Sequence, residues 1–178
     1  MADALNDQAD DGALDLDGRI GLWMEGRIFS IRTSTAETGG KCAVLESAVN
    51  IGQGPPLHRF RWEDILYVVL EGRFLFEIDD RRRDMGPGDT LFAPRGVLHS
   101  YLVTEGRPAR YLMIGMPGNT TEFYMQAISE PALRNEVPGA EFQPLPMEVI
   151  HRVAKAAGLE LIGPRIADML RAEGADAP

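Results

Sequence analysis

Residues 52–72 read GQGPPLHRFRWEDILYVVLEG, and residues 88–103 read GDTLFAPRGVLHSYLV. Each segment opens on a glycine-containing turn and continues into short apolar stretches. The run at 65–70 is almost entirely apolar, which indicates a strand that is buried on both faces. The stretches at 90–93 and 98–104 lie between Gly and Pro residues that favour turns. Short strands joined by such turns predict a β-sandwich or a β-barrel.

The strand pattern extends outward from these segments over residues 19–116. Segments at 19–24 and 27–33 flank Glu25-Gly26, a dipeptide typical of a tight hairpin turn. Residues 73–78 alternate between apolar and polar side chains, as a half-buried strand does. The sequence therefore predicts one continuous all-β unit over this range.

Beyond residue 116 the spacing of apolar residues becomes helical. Asn119 is placed to cap a helix that runs to about residue 129, with Glu122 at the reciprocal capping position. Further helices are predicted at 147–157 and near 166–171. We therefore expect a barrel at 19–116 and a C-terminal helical extension at 117–178 that packs on it.

Composition narrows the functional classes. The chain has 178 residues and a net charge of −9, so it suits one domain and argues against a nucleic-acid partner. Residues 1–18 contain six Asp and no basic residue, and are expected to form a disordered acidic tail. No apolar run has the ~18 residues of a membrane helix, and the N-terminus lacks the pattern of a secretory signal. With Cys42 as the one cysteine, we expect a cytoplasmic protein without membrane contact.

Two spaced sets of residues stand within the opening segments. The first set matches in part the pattern Gly, five residues, His, one residue, His, three or four residues, Glu, six residues, Gly. The second matches in full the pattern Gly, five residues, Pro, one residue, Gly, two residues, His. The positions that fit are Gly52, His58 and Gly72 in the first set, and Gly88, Pro94, Gly96 and His99 in the second. Phe60 and Ile65 occupy the second His and the Glu positions of the first set.

These two sets resemble the sequence motifs of the cupin superfamily. Over about residues 19–165 the chain is similar to small bacterial single-domain cupins (monocupins) of the quercetin 2,3-dioxygenase-like group. The resemblance implies a jelly-roll barrel, also called a double-stranded β-helix, and a homodimer. It does not fix a reaction, because the superfamily includes dioxygenases, isomerases, decarboxylases, lyases, cyclases and sugar-binding regulators.

The resemblance also implies that His58 and His99 face each other inside the barrel. Alternation along the strands places other side chains on the inward faces. We expect Tyr67 and Tyr101 to join the histidines as catalytic residues. The predicted walls of the substrate pocket are Phe60, Ile65, Trp23, Phe76, Val103 and Met113.

Three functions follow from this arrangement. In the first, His58 and His99 perform redox-neutral acid–base chemistry on a small aromatic or apolar substrate, such as isomerisation, cyclisation, elimination or decarboxylation, and no cofactor is needed. In the second, the histidines and the carboxylate of Glu63 or Asp64 bind one divalent transition metal in a reduced site of a dioxygenase that acts on phenolic or flavonoid-like substrates. In the third, the barrel binds a ligand without catalysis.

Overall fold

A computed structural model describes residues 14 and 16–174, so most of the predicted acidic tail at 1–18 lies outside the described residues. The chain forms a mainly antiparallel β structure with short helices near its C-terminal end. The elements are β1 Leu22–Met24, β2 Arg27–Thr33, β3 Ala43–Val49, β4 Pro56–Phe60, β5 Asp64–Ile78, β6 Arg81–Met85, β7 Thr90–Ala93, β8 His99–Met116, α1 Thr120–Ala127, β9 Glu130–Pro131, α2 Met147–Ala157, β10 Leu159–Arg165 and α3 Ile166–Ala172.

Strand β8 organises the sheet, since it pairs with β3, β4 and β5. On one side the order continues through β3, β2 and β1 to β9, and on the other β4 pairs with β10. Strand β5 also pairs with β6 and β7, so β5 and β8 join these strands into one sheet. The all-β jelly-roll prediction is confirmed.

The barrel interior is filled by aromatic and aliphatic side chains. Its largest buried members include Phe29, Leu45, Tyr67, Phe74, Phe76, Tyr101 and Tyr111. Alternation on β8 explains the assignment of faces: Tyr101 and Val103 point inward, whereas Leu102 packs outside against Ile166 and Ala167 of α3. The C-terminal extension therefore packs on the outer face of the barrel as well as beside its opening.

The structure joins segments that the sequence presents as separate. The stretches at 65–70 and 73–78 are parts of β5, whose register against β8 shifts between Val69 and Phe74. Strand β10, which follows α2 and pairs with β4, was not predicted from the sequence. Met24 pairs with Arg27 across Glu25-Gly26, so the predicted hairpin turn is confirmed.

The predicted capping box at the start of α1 is wrong. The side chain of Asn119 makes no capping hydrogen bond, and Glu122 instead accepts hydrogen bonds from the backbone amide and hydroxyl of Thr35. Glu63, which lies far away in sequence, supplies the acceptor: it bonds the backbone amides of Asn119 and Thr121. A carboxylate is favoured there because the first turn of a helix leaves amides unsatisfied.

Candidate functional site

A cavity of about 120 Å³ lies between the barrel interior and the C-terminal extension. Its walls come from the β1–β2 hairpin, the loop before β4, the inner faces of β5 and β8, and the helices α1 and α2. Since one water needs about 10–15 Å³ by this kind of measure, the cavity has room for roughly ten water-sized groups. It therefore suits a small organic molecule rather than a polymer.

His58 and His99 are direct cross-strand partners on β4 and β8. Their ring centroids lie 4.4 Å apart, as the predicted apposition requires. Phe60 packs against both rings, edge-on to His58 at 5.4 Å and stacked on His99 at 5.9 Å. The side chain at the usual position of a second histidine thus encloses the pair without offering it a polar atom.

Backbone carbonyls fix the tautomer of both histidines. Nδ1 of His58 lies 2.9 Å from the carbonyl oxygen of Pro56, and Nδ1 of His99 lies 3.0 Å from that of Val97. A carbonyl oxygen only accepts hydrogen bonds, so each Nδ1 carries the proton and each Nε2 presents a lone pair when the ring is neutral. Nε2 of His99 accepts from the Tyr67 hydroxyl at 3.2 Å. His58, by contrast, lines the cavity.

Burial keeps this pair uncharged near neutral pH. Desolvation lowers the pKa of His58 well below its usual value of 6.5, and the neighbouring His99 and then Arg27 lower it further. Desolvation also lowers the pKa of His99. Tyr67 stays protonated, because burial raises its pKa well above 10. His58 is therefore available as a neutral base, and Tyr67 as a hydrogen-bond donor to His99.

Four tyrosines are among the residues that line the cavity. Tyr101 and Tyr111 share a hydrogen bond of 3.0 Å between their hydroxyl groups, and both line the cavity together with Tyr67. Tyr124 of α1 completes the group, and burial raises its pKa to about 12. Tyr124 and one member of the Tyr101–Tyr111 pair keep a hydroxyl hydrogen that can be donated to a polar group of a ligand, whereas the Tyr67 hydrogen is used on His99.

Sequence reasoning missed Arg27, a cavity residue on β2. Its side chain is buried, at 9% exposure, and its guanidinium carbon lies 5.8 Å from the ring centroid of Tyr101. The available signal was strand alternation, which places Arg27 on the same face as Phe29 and Ile31 of the barrel core. Tyr111 and Tyr124 were missed as well.

The structure does not bring a carboxylate to the two histidines. Glu63 is 1% exposed, and its carboxylate accepts a hydrogen bond from the first turn of α1. A side chain at Gly115 would collide with this carboxylate. Asp64 forms an ion pair with Arg95 at 2.6 Å. Within residues 14 and 16–174, no three His, Cys, Asp or Glu side chains are grouped so as to hold a metal. His58, His99, Glu63 and Asp64 therefore do not form a three-ligand metal site in this arrangement, and a bound metal stays a prediction.

Apart from the histidines and Trp23, the predicted catalytic and pocket residues divide into two groups. Phe60, Tyr67, Tyr101 and Met113 line the cavity beside His58. Ile65, Phe76 and Val103 face inward, as expected, but belong to the packed core rather than to the cavity wall. His99 also lies behind the wall, next to Tyr67.

Trp23 does not belong to the pocket. It packs with Leu14, Ile28 and Ala48 in a separate cluster outside the barrel interior, and its indole Nε1 donates to the carbonyl oxygen of Glu136 at 2.7 Å. The assignment failed because β1 alternates out of phase with the inward face: its neighbours Leu22 and Met24 contact the core instead. Trp23 thus anchors the segment that follows β9 to the barrel.

Comparison with known proteins supports this architecture. Residues 46–115 match the family model described as a cupin domain. A protein of Methanocaldococcus jannaschii without an assigned function is 28% identical over 79 residues, which are 44% of this chain and 63% of that relative. The match therefore covers less than two thirds of the relative's length.

Solved structures share the barrel. KdgF from Halomonas sp. superposes with a TM-score of 0.54 at 17% identity, over 62% of this chain and 96% of that one. A predicted oxalate decarboxylase from Thermotoga maritima gives 0.51 at 18% identity, over 57% and 96% of the two chains. At such identities the likeness is one of fold. No helix among the described residues has the length and apolar character needed to cross a membrane.

Proposed function

We propose that this protein is a member of the cupin superfamily, because residues 46–115 match the cupin-domain model and the strands form a jelly-roll barrel. The protein converts a small aromatic or apolar molecule by redox-neutral acid–base chemistry, and His58 is the group that moves the proton. Isomerisation, cyclisation, elimination and decarboxylation are the reactions that such a group serves.

One observation carries this proposal: His58 directs a neutral imidazole at an apolar cavity. Its Nδ1–H is held by the Pro56 carbonyl, so the lone pair of Nε2 is free to accept a proton from a ligand. The low pKa of its imidazolium, caused mainly by burial, means that His58 is unprotonated at neutral pH. The same burial makes the imidazolium a ready proton donor once it has formed, as a shuttle between two atoms of one substrate requires.

His99 and Tyr67 act on the substrate through His58. Tyr67 donates to Nε2 of His99, so His99 has no free lone pair on that nitrogen. The His99 ring in turn packs against His58 and limits its rotation. In this scheme His99 and Tyr67 are positioning residues, and the hydroxyls of Tyr101 and Tyr111 bind the polar part of the substrate.

The test is to incubate the purified protein with a small-molecule extract of its native organism and to follow all compounds by mass spectrometry. We compare the wild type with His58→Ala and with His151→Ala, whose histidine is exposed on α2. We expect one substrate–product pair that is formed by the wild type and by His151→Ala and is lost in His58→Ala. The product should be an isomer of the substrate, or its mass should differ from that of the substrate by one water or one carbon dioxide. No oxygen should be consumed.

Two outcomes would reject the proposal. A product that has gained oxygen atoms, with consumption of dissolved oxygen, would favour a dioxygenase. Equal compound profiles for the wild type and His58→Ala would favour a binding protein, and ligands retained on the wild type through gel filtration would then identify its cargo.

The homodimer and the cytoplasmic location remain predictions. The dimer rests on resemblance to small cupins, whose early strands often pair with a partner's sheet. Sedimentation velocity at micromolar concentration tests it, since a monomer there would contradict it.

A further inference from the structure

Arg27 is a buried cation for which residues 14 and 16–174 provide no counter-ion. Within the described part of the chain its side chain has neither a hydrogen-bond partner nor an ion pair, and its Nε is fully buried. The groups that interact with it electrostatically include Tyr101, Tyr111, Tyr124, Tyr67 and His58. A guanidinium carries five N–H donors and stays charged at any physiological pH. Because a buried charge without a partner is costly, such a group in a folded protein indicates a ligand that completes it.

The charge balance of the cavity points the same way. Apart from Arg27, the lysine, arginine and acidic residues that line it are Glu25 and Arg165, and these two form an ion pair of 2.7 Å. The two cations and one anion leave one net positive charge, although the whole chain has a net charge of −9. The cavity therefore favours a negatively charged ligand, although the protein as a whole is negatively charged.

We propose that Arg27 binds the carboxylate of the substrate, so that the substrate is a small monocarboxylic acid with an aromatic or apolar body. This inference rests on the proposed function, because it names the chemical class of the substrate on which His58 acts. One uncompensated guanidinium matches one carboxylate in charge and in its planar, two-pronged geometry. A phosphate dianion would leave excess negative charge among neutral tyrosines.

The rest of the cavity fits the body of such an acid. Phe60, Met113, Met125 and Leu159 supply apolar surface around His58. The volume of about 120 Å³ suits an acid about as large as benzoate rather than a long fatty acid. Since Arg27 and His58 line the same cavity, fixing the carboxylate at Arg27 limits the orientations in which the body meets Nε2 of His58.

The test measures binding and does not depend on turnover. Acetate, benzoate, phenylacetate and hydrocinnamate are each titrated into the full-length protein by calorimetry, beside the corresponding primary amide and beside inorganic phosphate. We expect at least one acid to bind about tenfold or more tightly than its amide, since a charge-assisted bidentate contact contributes that much. In protein labelled with ¹⁵N-arginine, one buried Nε–H signal should shift with this acid and not with its amide.

Variants separate the proposed contact from its surroundings. Arg27→Met should remove the preference for acid over amide while the circular dichroism spectrum stays unchanged, and Arg27→Lys should keep part of it. Arg165→Met is the matched control: it also removes an arginine of the cavity wall, but one that Glu25 already neutralises. His58→Ala should retain the preference, so loss of catalysis and loss of carboxylate binding are distinguishable.

Four results would overturn the inference. They are that no acid in the series binds more tightly than its amide, that the preference survives in Arg27→Met, that it disappears in Arg165→Met, and that phosphate binds as tightly as the best acid. If Arg27→Met does not fold, the ¹⁵N-arginine spectrum of the wild type still decides, because an unshifted Nε–H signal at saturating acid excludes the contact.

Discussion

Two neighbouring strands each carry a buried charge, Arg27 on β2 and Glu46 on β3, and the two charges differ in their ion-pair partners. Glu46 receives Arg32 at 2.7 Å on one carboxylate oxygen and Arg110 at 2.6 Å on the other. Arg27 has a comparable burial, at 9% against 6% exposure, yet no ion-pair partner among the described residues. The first charge is neutralised within the fold, whereas the second faces the cavity.

The difference separates a structural charge from a functional one. An ion pair that is formed within the fold contributes little net stability, but removing one partner is strongly destabilising. An unpaired charge lowers the stability of the free protein and is compensated when a ligand binds. The two residues should therefore respond to neutralisation with opposite signs.

The largest effect is expected for Glu46→Gln. Arg32 and Arg110 would keep their places and their other contacts but lose the shared carboxylate. Breaking a buried pair costs about 3–5 kcal/mol, and we expect about 2–3 kcal/mol here because both arginines are partly exposed. Urea unfolding followed by circular dichroism measures the loss.

Glu71→Gln is the control for this substitution. Glu71 also pairs with Arg110, but its side chain is 49% exposed, so its replacement should cost less than about 1 kcal/mol. Equal costs for the two variants would mean that Glu46 is no more structural than a surface charge.

Arg27→Met should change stability in the opposite direction. Removing a buried cation without a partner and substituting an apolar chain of similar length should raise the free energy of unfolding by about 1–2 kcal/mol. Thermal unfolding without ligand measures it, and added carboxylic acid should stabilise the wild type alone. A loss of stability in this variant would assign Arg27 a structural contact with Tyr101 and remove the contrast with Glu46.

Local spacing carried most of the information about the fold. Gly72 has a φ of 76° and approaches the carbonyl of Glu105 so closely that any side chain there would collide with it, so the motif position records a steric need that is visible in sequence. Strand β10 was missed because its pairing partner β4 lies about a hundred positions earlier, as in the pair of Leu161 with His58. Such long-range pairing leaves no local signal.

Site residues could be predicted where motif spacing in the sequence defines them. They could not be predicted where their role depends on contacts with residues distant in sequence. His58 and His99 follow from the two motifs, and the structure makes them neighbours. Glu63 was assigned to a metal because its role is set by α1, whose capped amides lie 56 and 58 residues further on. Arg27 was passed over because a charge in a strand is usually exposed, and only its burial without a partner reveals it.

His99 could be a positioning residue for His58 or a structural residue like Glu46, and Tyr67→Phe distinguishes these two roles. The substitution removes the hydroxyl that donates to Nε2 of His99, and we expect a loss of about 1 kcal/mol of stability. Tyr111→Phe, which removes the bond to Tyr101, is the control for stability alone, since the Tyr111 hydroxyl also belongs to the proposed substrate-binding surface.

The turnover of Tyr67→Phe then tests whether Tyr67 and His99 position His58. If Tyr67 and His99 position His58, the rate constant for conversion should fall about tenfold or more with little change in KM, because the base is held less well while the carboxylate contact is intact. If the rate is unchanged and only stability falls, His99 is a satisfied structural group like Glu46. The catalytic machinery would then reduce to His58, with Arg27 as the anchor of its substrate.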